Sequence, residues 1–179
     1  RVECLPADLV AEQIRAVVED IPPAAAKTGA LGNHEIVEAV AAAAAAFDFP
    51  LVVDPVMFSK HGARLVSEDA QAALLTKLLP RAFLLTPNLP EAAALTGLVI
   101  HDLAGMRQAA ECLCRMGARA VLIKGGHLED RATDVLLAGN KFHEFPAPRI
   151  FTPHTHGSGC TYSAAIAAAL ARGLRLPEA

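Results

Sequence analysis

Neither sign of charge dominates this 179-residue sequence: 16 Lys and Arg stand against 19 Asp and Glu, a formal net charge of −3. Without a basic excess or a basic stripe, nucleic acid and anionic membrane surfaces are not expected partners. Long apolar runs are missing as well. The longest uncharged one, AVAAAAAAF at 39–47, is too short to span a bilayer and reads as the buried face of a helix. The four cysteines, Cys4, Cys112, Cys114 and Cys160, make no Cys-x-x-Cys pair and no Cys/His metal spacing. No secretory pattern is read at the start of the sequence, so the expectation is a cytoplasmic chain with reduced thiols. Two phosphate-binding fingerprints are absent. There is no Gly-x-x-x-x-Gly-Lys loop of the commoner nucleotide hydrolases and no Gly-x-Gly-x-x-Gly of dinucleotide binders.

What is present fits a soluble globular chain, 53% apolar and 20% charged, read as one domain over 1–179 with a substantial core. Leu9, Val10, Ile14, Val17, Val18 and Ile21 recur at helical spacing. A short strand is expected at 24–28, and Asn33 caps a helix running to about 47. PLVVDPV reads as a strand buried on both faces of a parallel sheet. Ser67 caps a helix with Glu68 and Asp69 in its first turn and Leu74, Leu75, Leu78 and Leu79 inward. AFLLTPN at 82–88 is a strand broken by proline, Asp102 caps a helix ended by Gly117, and RAVLIKGG at 119–126 is a further strand. TDVLLAG and KFHEF, divided by Asn140, form an antiparallel hairpin, and a final helix follows Gly157. This alternation argues for a doubly wound α/β sandwich with a mainly parallel sheet.

In such folds ligands sit beyond the carboxyl ends of the strands. Those ends read KTGALG, DPVM, TPNLPE and KGGH. Asp54 is either a metal- or phosphate-site ligand or a cap on neighbouring backbone. Glu91 is either a first-turn acid that complements the helix dipole or an oxygen ligand for Mg²⁺, direct or through water. Lys124 ends an apolar strand, where an ammonium needs a partner; a triphosphate or a salt bridge to Asp54 or Glu91 would serve. His127, His154 and His156 read as loop or hydrogen-bonding residues rather than a metal cluster. HTHGSGCTYS at 154–163 opens an alanine-rich helix. Its glycines allow close backbone approach, and a helix start offers unpaired N–H donors, so Gly157, Ser158, Gly159 and Cys160 make an anion cradle. Cys160 is either a small packing residue or a thiol whose pKa a helix start lowers.

Taken together, KTGALG, VVDPVMFSKHGARLV, LLTPNLPEAAALTG, VLIKGGH, TDVL and THGSGCTYSAAIAAALARG resemble the hydroxymethylpyrimidine/phosphomethylpyrimidine kinases of thiamine biosynthesis, in the ribokinase-like superfamily. The resemblance implies a ribokinase-like three-layer αβα sandwich with a mainly parallel sheet. It implies ATP- and Mg²⁺-dependent phosphorylation of 4-amino-5-hydroxymethyl-2-methylpyrimidine and then of its monophosphate, by a homodimer. It places Gly157, Ser158 and Gly159 on the anion hole and Cys160 on the catalytic base. Asp54 and Glu91 fall on metal positions, Lys124, Asn88 and Thr86 on ATP and phosphate contacts, and Val56, Ala30 and Gly29 on the pyrimidine pocket.

The sequence departs from the pattern in three places. GSGC replaces GTGC, and Ala30 replaces a usual methionine, which reshapes the pocket. The family's glycine-rich first strand and its C-terminal helix lie outside RVECLP…LPEA, so the chain is expected to lack both and to be unstable or inactive in isolation. A pyridoxal or other alcohol kinase of the superfamily is the first rival reading. A chain that binds nucleotide without turnover is the second.

Overall fold

The computed structural model describes residues 3–58, 64–126, 132–150, 152 and 156–179. Six strands form one sheet in the order β1-β2-β3-β4-β5-β6: Ala26–Thr28, Leu51–Val53, Leu84–Leu85, Ala120–Ile123, Ala132–Ala138 and Lys141–Ala147. The pairings from β1 to β4 are parallel, and β5 and β6 are the expected antiparallel hairpin. Asn140 turns it with a left-handed φ of 65°, a conformation asparagine tolerates better than most residues.

Six α-helices accompany the strands: α1 (Ala7–Asp20), α2 (His34–Ala44), α3 (Glu68–Ala73), α4 (Leu89–Thr96), α5 (Leu103–Arg115) and α6 (Ser158–Ala171). The expected caps are in place. Asn33, Ser67 and Asp102 each accept an N–H three residues on, from Ile36, Ala70 and Gly105. None of these helices is long and apolar enough to cross a membrane.

The three expected layers are present, but unequally filled. Strand order advances in one direction, and right-handed crossovers then carry every connecting helix to the same face. Residues of α2 to α5 bury Val37, Ala70, Leu95, Met106 and Leu113 in one large core, with Val10 and Ile14 of α1 packed on it. On the opposite face α6 buries Ile166, Ala167 and Leu170 against Val52, Leu84 and Leu122, with Leu176 and Ala179 packed beside them. The described sheet is therefore wound once rather than twice, since no strand order reverses within it. Alternation along β2 shows the same division: Val52 faces α6, while Leu51 and Val53 face the larger core.

Two local details differ from expectation. β3 is two residues long, because Pro87 follows so closely. Leu74–Leu78 continues α3 as a π-helical turn and Leu79–Arg81 as a 3-10 turn; Leu74, Leu78 and Leu79 are buried, whereas Leu75 is only half-buried. Helix α5 ends at a glycine as expected: Arg115 is its last residue, Met116 the C-cap, and Gly117 follows at φ 126°, where an added Cβ would meet Pro80 at 3.2 Å.

Candidate active site

Strand β2 ends in Asp54, 2% exposed. Its amide donates to the Thr28 carbonyl at 3.2 Å, which carries it just beyond the β1–β2 ladder. Alternation turns its side chain toward α6. There it is held by three elements at once. Lys124 Nζ, at the end of β4, donates to Asp54 Oδ1 at 2.9 Å, and Thr86 Oγ1, after β3, lies 3.3 Å from the same oxygen. Ser163 Oγ of α6 is 3.1 Å from Asp54 Oδ2 and 3.0 Å from the Cys160 carbonyl, so its one proton serves one of two acceptors. The salt-bridge reading of Lys124 is thus realised with Asp54. Ion-pair side chains only 13% and 2% exposed are desolvated, and such a pair is costly to break from one side.

Lys124 also ties the helix start to the sheet. A Cβ added at Gly159 would stand 3.2 Å from Lys124 Nζ, so the ammonium rests against the backbone of the first turn of α6. Gly157 takes the N-cap position at φ 77°, a left-handed conformation that glycine adopts freely. Having no side chain, it leaves the first-turn N–H groups of α6 uncapped by the N-cap residue. Cys160, one turn into the site, is exposed. The cradle residues, Lys124 and Asp54 are therefore gathered at one place, as expected.

Glu91 sits 3% exposed at the start of α4. The dipole-side reading of it holds: Asn88 Oδ1 accepts the Glu91 N–H at 2.9 Å and Glu91 Oε2 accepts the Asn88 N–H at 2.9 Å, a reciprocal capping box. The other oxygen, Oε1, is 3.4 Å from the Met57 N–H. Burial pushes the Glu91 carboxyl above its ordinary range, against the Asn88 amide and the Lys124 charge that pull it down; the Asp54 charge pushes it further up. Asn88 pairs in register beside Lys124, whose amide donates to Pro87 at 2.9 Å.

These oxygens suit a hard cation by type. Asp54 and Glu91 are two buried carboxylates, and the Asp54 charge is near enough to push the Glu91 carboxyl up. Asp54 Oδ1 already accepts two donors, Lys124 Nζ and Thr86 Oγ1, while Asp54 Oδ2 and both Glu91 oxygens each face one donor and keep a second lone pair. The donor set therefore fits Mg²⁺ held through water better than one stripped of its hydration. No cluster of three or more His, Cys, Asp or Glu side chains poised for a metal occurs among the described residues.

Thr28, Gly29, Gly32, Asp54 and Val56 line a cavity of about 10 Å³, room for about one water molecule. Gly29 and Val56 are thus brought together with Asp54, while Ala30 is exposed and does not line this space. A larger groove of about 470 Å³ lies on α3 and α4, lined by Phe58, Arg64, Gln71 and Ala94; Arg64 there already bonds the Val66 carbonyl and Gln71. His156 is in an exposed turn, and His127 and His154 lie outside the described residues.

Sequence reasoning passed over Ser163 and Lys27. Ser163 looks like one more small residue in SAAIAAA; its signal is position, one helical turn beyond Cys160 on the sheet-facing side. Lys27 looks like the polar lead-in to a glycine turn.

A family model described as phosphomethylpyrimidine kinase matches residues 1–179. A hydroxymethylpyrimidine/phosphomethylpyrimidine kinase of Streptomyces coelicolor is 47% identical over 175 residues, 98% of this chain and 65% of that protein. This chain thus spans about two thirds of that relative's length. The crystal structure of a phosphomethylpyrimidine kinase from Clostridium difficile superposes with a TM-score of 0.87 at 37% identity, covering 99% of this chain and 73% of that one. An ADP complex of Bacillus subtilis pyridoxal kinase superposes with a TM-score of 0.89 at 36% identity, covering 97% and 67%.

Proposed function

Because the chain belongs to the phosphomethylpyrimidine kinase family, we propose that it carries the phosphotransfer core of an ATP-dependent kinase acting on 4-amino-5-hydroxymethyl-2-methylpyrimidine and then on its monophosphate. The observation that supports this reading most is the Lys124 ammonium, placed between the Asp54 carboxylate and the backbone at Gly159. Phosphoryl transfer asks little covalent chemistry of a protein and much electrostatic positioning.

In this reading the first turn of α6 directs its N–H groups at the transferring phosphoryl group, and Lys124, with Thr86 and Asn88 beside it, holds the nucleotide phosphates. Fixed dipoles stabilise the developing charge without having to reorganise. Cys160, exposed at that same turn, is the base that takes the hydroxymethyl proton as the oxygen attacks in line. Asp54 fixes Lys124, and with Glu91 it would hold Mg²⁺ through water. Mg²⁺, when bound, neutralises charge on the bridging phosphate oxygens. Gly29, Ala30 and Val56 belong to the acceptor side. The protein works in the cytoplasm as a homodimer, with 1–179 forming one domain and with no nucleic-acid or membrane partner.

Pyridoxal is the second acceptor to test, since the solved pyridoxal kinase superposes as closely as the pyrimidine kinase. The decisive experiment offers ATP–Mg²⁺ with the pyrimidine alcohol, its monophosphate or pyridoxal, and follows ADP release. Turnover of both pyrimidines above that of pyridoxal is expected. Cys160→Ala should lower it by about two orders of magnitude, as loss of a general base does. Nucleotide binding without turnover of any acceptor would favour a non-catalytic chain instead.

A further inference from the structure

Lys27 is a cation beside the site that has no counter-ion among the described residues. It lies in β1 opposite Val52 of β2. Paired residues of neighbouring strands share a face of the sheet, and Val52 packs in the α6 cluster, so Lys27 lies on the α6 face. Its neighbour Thr28 is on the other face, where it lines a cavity with Val37 and Leu74. From β1 the lysine side chain folds toward the carboxyl end of the sheet: a Cβ added at Gly29 would stand 3.0 Å from Lys27 Nζ. Gly29 follows the last β1–β2 pair, Thr28 opposite Val53, and so lies at the level of Asp54.

Two lysines therefore flank the Asp54 carboxylate on one face of the sheet. Lys124 is neutralised by it at 2.9 Å. Lys27 is half-buried and makes no ion pair or hydrogen bond among the described residues. A half-sequestered ammonium without a partner is costly, and that cost is recovered when an anion arrives. Lys124 and the helix start already serve the nucleotide end. Lys27 stands on the opposite side of Asp54, beside Gly29 of the acceptor loop.

We infer that Lys27 binds the phosphate of a phosphorylated acceptor, and so decides how well the chain uses the monophosphate compared with the parent alcohol. The inference rests on the kinase reading above. It adds a residue that would act in only one of the two phosphorylations. An alcohol acceptor brings no charge to Lys27. A phosphate monoester brings nearly two negative charges, and a lysine supplies a point charge with three donors to meet them.

Lys27→Met keeps the length of the side chain and removes the charge. It should lower kcat/KM for the monophosphate about 30-fold or more, the loss of one hydrogen bond to a charged group, while changing that for the alcohol less than about 3-fold. Lys27→Arg should restore most of the difference. Equal losses with both acceptors, which would place Lys27 on the nucleotide, would overturn the inference, as would no loss with either. A second measurement uses the unmutated chain. After reductive ¹³C-methylation of its lysines, the Lys27 resonance, assigned by its disappearance in Lys27→Arg, should shift with the pyrimidine monophosphate and stay in place with the alcohol. A resonance unmoved by the monophosphate overturns the inference even if Lys27→Met does not fold. Failure of the unmutated chain to phosphorylate either acceptor is a distinct result and counts against the kinase reading.

Discussion

Where α6 meets the ends of β2 and β4, Lys124, Asp54, Thr86 and Ser163 all have partners within 3.3 Å. Where β1 runs into Gly29, a buried hydroxyl and a half-buried ammonium have none among the described residues. The two ends of the site are thus prepared differently. The first is a closed network whose charges already compensate one another, which under the proposed function would hold a nucleotide's phosphates without rearranging. The second carries unspent hydrogen-bonding capacity, which under the proposed function would choose among acceptors. The difference teaches that stability and selectivity reside in different residues only a few positions apart.

The strongest way to break the contrast is to remove the hub of the closed network. Asp54→Ala would leave the Lys124 ammonium buried and unpaired, with Thr86 and Ser163 deprived of an acceptor. Unpairing a buried ion pair costs about 3–5 kcal/mol. Urea unfolding should show a loss of unfolding free energy of that size and a correspondingly lower midpoint, whereas Lys27→Met should cost nothing or stabilise. Similar midpoints for the two variants would erase the distinction between the ends.

That contrast also marks how far the sequence could be read. Caps at Asn33, Ser67 and Asp102 were legible because each capping side chain acts within three residues of itself. The hairpin at Asn140 was legible for the same reason. Gly157, Gly159, Lys124 and Asp54 were legible as strand-end and helix-start residues, and they meet. Ser163 was not, because its meaning lies in contact with a residue 109 positions away. Lys27 was not, because a lysine's lack of a partner is a property of the packed structure. The one-directional winding was hidden too, since alternation of strand and helix does not state on which face each helix lies.

Glu91 gives the next largest effect, and it separates two roles held by one residue. Its carboxyl is raised above 4.5, chiefly by burial. An acid that binds its proton more tightly when folded stabilises below the unfolded pKa, and that stabilisation is lost as pH rises through the folded value. Stability should therefore decline from about pH 4.5 upward on this account, until Glu91 is fully ionised. Glu91→Gln keeps the capping box, since Gln serves at that position, and removes the titration. The variant should lose this part of the decline and be at least as stable at pH 7, while losing activity if Glu91 helps hold Mg²⁺. A variant that keeps both the decline and full turnover would leave Glu91 as a cap alone.

Ser163→Ala removes one bond from Asp54 without disturbing Lys124. The expected loss is about 1.5–3 kcal/mol, the range for a hydrogen bond to a charged group. Loss of less than about 0.5 kcal/mol would mean that the Ser163 proton goes to the Cys160 carbonyl instead.

The smallest effect tests the open end. Thr28 is 8% exposed and its hydroxyl has no partner among the described residues, on the face of β1 away from Lys27. Thr28→Val exchanges that hydroxyl for a methyl group of nearly the same volume and keeps the β-branched shape that suits a strand. At an ordinary buried, satisfied threonine the exchange is destabilising. Here it removes an uncompensated desolvation and should leave stability unchanged or raise it by about 1 kcal/mol. Calorimetry on the two proteins decides the matter. A melting point lowered by several degrees would mean that the hydroxyl is already satisfied, and the acceptor end would then be as closed as the nucleotide end.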